Sequence, residues 1–317
     1  MDIFGHKFSL EIFGASHAPC VGVILRGVPA SLPLSAEDFT ADILRRKSGA
    51  PGTTPRIEDD SPEIDDRRES DGSLTISFAN RNYRPGDYSS FTSIPRPGHA
   101  DFVAMKRYGS LCDGRFSGRM TLPLVSAGVV AKKIIAPVVI EARLTETGGV
   151  PAAQRAEVER VLSEAVREGD SIGGIVECRC TGVPVGLGEP FFDSLESLIS
   201  HAVFSIPGIR GIEFGDGMAA ARMKGSEHND PIVDSDGHTS RNGAGGINGG
   251  LSNGNPIVFR VAVKPTSSIR KPQRTFDFDH GCLTDFSVPG RHDACFALRV
   301  PPVVEAVTAC VLADLML

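Results

Sequence analysis

The chain has 317 residues, 41% of them hydrophobic, with a formal net charge of −6. That length and core content suit one large domain or two ordinary ones, and the acidic balance excludes a general nucleic-acid binder, which needs a basic face. No apolar run approaches the roughly 18 residues of a membrane span, and the seven cysteines include no C-x-x-C pair.

The N-terminus, MDIFGHKFSL, is not expected to act as a secretory signal, because no apolar stretch follows a charged one. With the cysteine spacing, this points to reduced thiols in a cytoplasmic protein and to neither a disulfide framework nor a metal site. Phe8 to Phe13 and Cys20 to Leu25 read as strands around a small-residue turn carrying Ser16 and His17. A Ser-His pair there suits proton transfer; a satisfied structural histidine is the other reading.

Ser35-Ala36-Glu37-Asp38 reads as a capping box opening a short helix. Arg45, Arg46 and Lys47 fall in its last turn, where the helix dipole favours cations and where, with Arg56, they would also attract a polyanion. Ser61 to Asp71 is charged and reads as an exposed loop. Leu74, Ile76 and Phe78 alternate as a strand, and Asn80 to Ser90 reads as a polar loop.

Arg96-Pro97-Gly98-His99-Ala100-Asp101 reads as a turn into a helix, with His99 near the helix start. After Met120 the chain is small and apolar on several faces, the pattern of a buried helix, and Arg115, Ser117 and Arg119 stand at its N-terminus, where an anion is favoured. Pro151 to Gly169 has the 3.6-residue period of a surface helix. Ile175 to Cys180 reads as a strand. Asp193 reads as the cap of another helix, which stops at Pro207-Gly208. Gly290 to Asp293 precedes a last helix.

Between these lies Ser240 to Ile269. Gly243, Gly245, Gly246, Gly249 and Gly250 form a loop whose backbone N–H groups can approach a ligand closely. Asn253-Gly254 signals a tight turn. Ile257, Phe259, Val261 and Val263 then alternate as a half-buried strand, ending in Lys264-Pro265-Thr266-Ser267-Ser268. One cation and three hydroxyls suit a phosphate, and a solvated hairpin tip is the alternative. No Walker loop or G-x-G-x-x-G segment is present.

Ten blocks in this order, FGASHA, RRKSG, RPGHAD, GRFSGRMT, EGDSIGG, GVPVGLGEPFFD, SIPGIRGIEFGDG, NGAGGINGG, KPTSSI and GRHDACFALR, together resemble the chorismate synthase family. The resemblance runs from about Phe13 to Arg299. It implies an α+β fold, with helices sandwiched between mainly antiparallel sheets in an internal pseudo-repeat, one domain over 1–317 and a homotetramer. It implies an FMN-dependent lyase that converts 5-enolpyruvylshikimate 3-phosphate to chorismate and phosphate by 1,4-elimination. Reduced FMN would come from a separate reductase or a chemical reductant.

By the same resemblance, His17 and His99 act as acids, Asp293 is linked to proton removal, and Ser16 and Ser117 support them. Flavin contacts fall on Arg115, Phe116, Ser117, Pro207, Gly208, Gly249, Lys264, Pro265, Thr266, Ser267, Ser268 and Arg291. Substrate anions fall on Arg45 and Arg46, with Arg107 and Arg119 as further candidates. Two glutamates usual in the family are here Ala15 and Met120. A flavin-binding relative without the lyase activity is the alternative reading.

Overall fold

The computed structural model describes residues 3–82, 91–111, 114–290 and 292–317. Arg291, expected among the flavin contacts, lies outside them.

The first half builds an antiparallel sheet from β1 (Ile3–Phe4), β2 (Ser9–Gly14), β3 (Cys20–Arg26), β4 (Glu63–Arg67) and β5 (Ser73–Ala79), in the order β1-β2-β3-β5-β4. Leu74, Ile76 and Phe78 are buried while their neighbours on β5 are less so, the period-2 pattern of a sheet with one covered face. Between β3 and β4 comes α1 (Thr40–Arg46), after a 3₁₀ turn at Ala36–Phe39. The expected capping box forms there: the Ser35 amide donates to the Asp38 carboxylate at 2.8 Å. The expectation of a loop over Ser61 to Asp71 is corrected, since Glu63–Arg67 pairs with β5. Glu63-Ile64-Asp65-Asp66-Arg67 is an edge strand charged on both faces, a device that blocks further pairing and hides the strand from pattern reading.

Next come α2 (Asp101–Tyr108) and α3 (Thr121–Ile134). The second half builds another antiparallel sheet, of β6 (Val139–Thr147), β7 (Val150–Pro151), β8 (Gly174–Thr181), β9 (Ile209–Phe214) and β12 (Ile257–Val263), ordered β7-β6-β8-β12-β9. Helices α4 (Arg155–Glu168), α5 (Leu195–Val203) and α6 (Gly225–His228) connect its strands, with the short strands β10 (Ile247–Asn248) and β11 (Leu251–Ser252). The cap of α5 is Ser194, whose hydroxyl accepts from the Ser197 amide, and not Asp193. A hairpin of β13 (Gln273–Asp277) and β14 (Cys282–Phe286) precedes α7 (Pro301–Met316).

Helix α3 packs against β2, β3 and β5; α7 packs against β6 and β8; and the two helices pack on each other. The layers therefore run sheet, helix, helix, sheet, each sheet bringing its own helix, as the α+β sandwich with a pseudo-repeat requires. Both helices are buried on all sides over most of their length, which only an interior layer permits. Their approach depends on Gly128 of α3. A Cβ there would overlap the backbone of Ala306 on α7, so the smallest residue is what lets the helices close. Buried residues from Phe8 to Ala313 belong to one cluster spanning both halves. Among the described residues no helix is long and apolar enough to cross a membrane.

Candidate active site

A cleft of about 570 Å³ opens where α3 and α7 begin. Ser16, His17, Arg46, Arg56, His99, Ser117 and Arg119 reach it from the first half; Pro207, Gly208, Lys264 to Ser268, His292, Asp293 and Arg299 reach it from the second. Its position follows from the layering: the segments entering the two central helices converge at one end of the sandwich. The positive ends of both helix dipoles lie there.

The charge of the cleft opposes that of the chain. Arg46, Lys47, Arg56, Arg96, Arg119, Lys264 and Arg299 line it against Glu58, Asp60 and Asp293. Arg46 is fully buried. Burial and the neighbouring Arg299 and Arg119 push its guanidinium down to about 9, with Asp60 opposing, so it stays charged near neutrality. Asp60 accepts Arg46 Nη2 at 2.9 Å on one oxygen and Arg119 Nη1 on the other. Arg46 Nε and Arg119 Nη2 are buried and find no acceptor among the described residues. Unpaired buried N–H groups on cations are costly, and an anion in the cleft is what they lack.

His17 sits on the turn between β2 and β3. Asn80, at the end of β5, staples that turn by donating to the carbonyls of Ala15 and Ala18 at 3.0 and 2.7 Å, while its own carbonyl accepts from Arg119 Nε at 3.0 Å. The Ser16 hydroxyl accepts from Arg56 Nη1 at 2.9 Å, and Arg56 is held in turn by Glu58. Ser117 caps the 3₁₀ turn ahead of α3 by accepting from the Arg119 amide.

Strand β12 ends in a register shift at Val263 and delivers the Lys264 to Ser268 segment onto the turn that carries His99. Lys264 Nζ and Ser267 Oγ both donate to the Gly98 carbonyl, at 3.0 and 2.7 Å, and Ser268 Oγ accepts from Arg96 Nη1 at 3.0 Å. Burial and the nearby Arg210 lower the Lys264 pKa. Thr266 Oγ1 is buried with no partner among the described residues. Phe116, Pro265, Pro289 and Phe296 add apolar surface to the lining. A cleft of this size suits a small ligand, and donors beside apolar faces suit one carrying both an anion and a flat ring.

On the far wall Asp293 accepts from the Thr54 amide at 2.8 Å and from Arg299 Nη1 at 3.1 Å, and Arg299 Nε donates to the Arg46 carbonyl at 2.9 Å. His292 lies beside it; burial lowers its pKa, with Arg96 and His99 adding to the effect and the Pro289 carbonyl and Asp293 opposing it.

The chain belongs to the chorismate synthase family. The family profile matches residues 8–317. A chorismate synthase from Chitinophaga pinensis is 55% identical, the match covering 100% of this chain and 97% of that one. One from Dehalococcoides mccartyi is 41% identical, over 99% of this chain and 96% of that one. A crystal structure of chorismate synthase superposes with a TM-score of 0.74 at 25% identity, covering 99% of this chain and 92% of that chain.

Not every residue expected at a chorismate synthase site reaches the cleft. Arg45 forks onto Glu305 of α7, Nη1 to Oε2 at 2.7 Å and Nη2 to Oε1 at 2.6 Å, in a network with Asp42 and Lys132. Arg107 lies in the last turn of α2, over the Tyr108 ring. Arg115 is exposed and outside the lining. Gly249 turns between β10 and β11, also outside it. Part of the ligand site read into the glycine-rich loop is taken by the chain itself: the Gly243 and Ala244 amides donate to the Asp230 carboxylate at 2.7 and 2.8 Å.

Conversely, Arg96, Arg299, Asp60 and His292 line the cleft, and Asn80 braces two of its parts from behind, without having been singled out for it. For Arg96, His292 and Arg299 the available signal was their place inside the family-like blocks, which does not say which of several arginines turns inward; Asp60 and Asn80 lie outside those blocks. Ala15 and Met120 are both buried, so a glutamate at either would need a partner that these apolar side chains do not.

Proposed function

We propose that this chain is a lyase converting 5-enolpyruvylshikimate 3-phosphate to chorismate and phosphate, with reduced FMN required and supplied from outside. Family membership gives the reaction class. The observation that carries the finer reading is the excess of cations over carboxylates in one cleft that also holds His17 and His99. A departing phosphate gathers negative charge, and preorganised guanidinium groups in a water-poor site stabilise it. His17, held by the stapled turn, gives a proton to the phosphate side, and Arg46 and Arg119 bind substrate anions.

Phe116, Ser117, Pro207, Gly208 and Lys264 to Ser268 would hold FMN, the Thr266 hydroxyl and Lys264 ammonium suiting its phosphate. Bound and reduced, the flavin would supply electron density to an electron-poor allylic centre. Asp293, held by Thr54 and Arg299, is the acid linked to proton removal. We read residues 1–317 as one catalytic unit in a cytoplasmic homotetramer. Phe191 and Phe192, 87% and 92% exposed, support assembly, since large apolar side chains left in water mark interaction surfaces.

The test is anaerobic, with purified protein, the enolpyruvyl substrate and FMN. Dithionite should switch on phosphate release, and NADPH alone should not. Release with oxidised flavin would overturn the reduced-cofactor requirement. Tight flavin binding without release would favour a flavin-binding relative, with Ala15 and Met120 the first positions to restore to glutamate.

A further inference from the structure

His99 spends one ring nitrogen inside the protein. Its Nδ1 lies 2.7 Å from Oδ1 of Asp101 and 3.0 Å from Nη2 of Arg96. A ring nitrogen carries a proton or a lone pair, never both. With a lone pair, Nδ1 could accept from Arg96 but would face the Asp101 oxygen with no proton between them, unless Asp101 carried one.

Asp101 does not carry one. It accepts from Arg96 Nε and Nη2, both at 2.7 Å, and from the Arg96 amide at 3.1 Å. Burial alone would raise its pKa, but the hydrogen bonds from Arg96 and His99 hold it well below the usual carboxylate range. Asp101 is also the first residue of α2, where the helix dipole favours negative charge. The Nδ1 proton therefore belongs to His99, and the Arg96 N–H beside it is directed to the carboxylate.

We propose that Asp101 is a positioning residue for His99: it fixes the tautomer protonated at Nδ1 and so leaves Nε2 to meet whatever the cleft binds. Asp101 is 2% exposed and acts through the imidazole. Arg96 completes the device. Its fork fixes the carboxylate, Ser268 Oγ accepts its remaining nitrogen, and its guanidinium lies 4.3 Å above the Phe91 ring. The segment after β12 thus bears on His99 through Arg96 and the Gly98 carbonyl.

The consequence for proton transfer rests on the lyase reading above; the tautomer does not. If His99 acts as an acid, the proton leaves Nε2, the lone pair stays there, and the Nδ1–H bond to Asp101 persists. The proton that restores the acid returns to Nε2, so one atom serves the whole cycle. Without Asp101 the neutral ring can place its proton on Nε2 and remove the acceptor on which recharging depends.

The experiment reads the ring directly. Protein labelled with ¹⁵N at histidine alone, without ligand and at alkaline pH, gives nitrogen spectra in which His99 is assigned by its loss in His99→Gln. The expected wild-type spectrum has a protonated Nδ1 and a bare Nε2; the reverse overturns the proposal. Asp101→Asn should shift His99 toward the Nε2-protonated form, and an unchanged tautomer in that variant also overturns it. Should Asp101→Asn fail to fold, Asp101→Glu, which keeps the anionic acceptor, should retain the wild-type tautomer, and loss of it counts against the proposal. In turnover, Asp101→Asn should lower kcat roughly 10²–10⁴-fold with a much smaller change in KM, the scale seen when a histidine loses its orienting carboxylate. A protein with the expected spectra and no lyase activity would sink the functional reading and leave this one standing.

Discussion

Asp60 and Arg46 form an ion pair with both side chains only 2% exposed, Nη2 to Oδ2 at 2.9 Å. The same carboxylate also receives Arg119, so a single anion holds two cations apart. Asp60 adopts φ of 57°, a left-handed conformation that costs a non-glycine residue on the order of 1 kcal/mol. The paired guanidiniums keep it there. Charge in this corner remains positive, and Arg46 Nε and Arg119 Nη2 await an acceptor.

Arg46→Ala is therefore expected to weaken binding of the enolpyruvyl substrate, and added salt should weaken it further where the site stays wet. Calorimetry with FMN bound measures it. An affinity equal to wild type would return Arg46 to a purely structural role.

Asp60→Asn should be destabilising because it leaves two buried guanidiniums without their anion. Removing one partner of a buried pair costs roughly 3–5 kcal/mol. Inorganic phosphate should restore part of that stability by occupying the same corner, since a ligand that binds only the folded state raises the melting temperature. A variant that phosphate stabilises no more than wild type would argue against an anion site there.

Arg45 is one residue away and behaves differently. Adjacent helical positions point about 100° apart, so Arg46 turns into the cleft while Arg45 reaches Glu305. That carboxylate would be raised by burial but is lowered by Arg45 and Lys132. Arg45→Ala should cost about 1–2 kcal/mol of stability, less than a fully buried pair because Arg45 is 44% exposed and Lys132 remains. Substrate affinity should not change. A calorimetric affinity loss matching that of Arg46→Ala would contradict this division of labour.

This pair shows what was legible in the sequence and what was not. Hydrophobic period marked β5, β12, α3 and α7, because burial on one face or on all faces leaves a direct trace in residue order. The blocks around His17, His99 and Lys264 to Ser268 were legible as chemistry, and the fold brings them together. What was hidden depends on rotation or on distant partners. Asp60 meets Arg119 from far along the chain, Asn80 ties the His17 turn to Arg119, and Asp230 fills part of the glycine-rich loop read as a ligand site. The strand Glu63–Arg67 was hidden because an edge strand needs no apolar face.

His17→Ala and His99→Ala should each lower turnover roughly 10²–10⁴-fold, the scale of general acid catalysis. Both rings stand on turns rather than within a helix or strand, so thermal unfolding should move little. Near wild-type turnover in either variant would make that histidine structural. Comparing phosphate release with flavin-phosphate affinity in each separates a proton-transfer role from a binding role.

His292 gives the molecule a pH dependence of known sign. Burial disfavours its charged form and lowers its pKa in the folded state, whereas the unfolded chain titrates it near 6.5. Between those two values the unfolded state binds more protons, so folding stability falls as pH drops below about 6.5 and is unaffected by this group above it. His238 and His280, raised by the hydrogen bonds that their rings donate to Asp234 and Asp277, act in the opposite sense and in another window. Their contribution is complete below about 6.5 and is lost as pH climbs through their folded values. Urea unfolding between about pH 5 and 8 separates the two effects. His292→Gln should flatten the acidic side of the stability profile and leave the side above 6.5 as it was. An acidic slope that survives the substitution would assign the loss of stability to other groups and deny His292 its desolvated, neutral state beside Asp293.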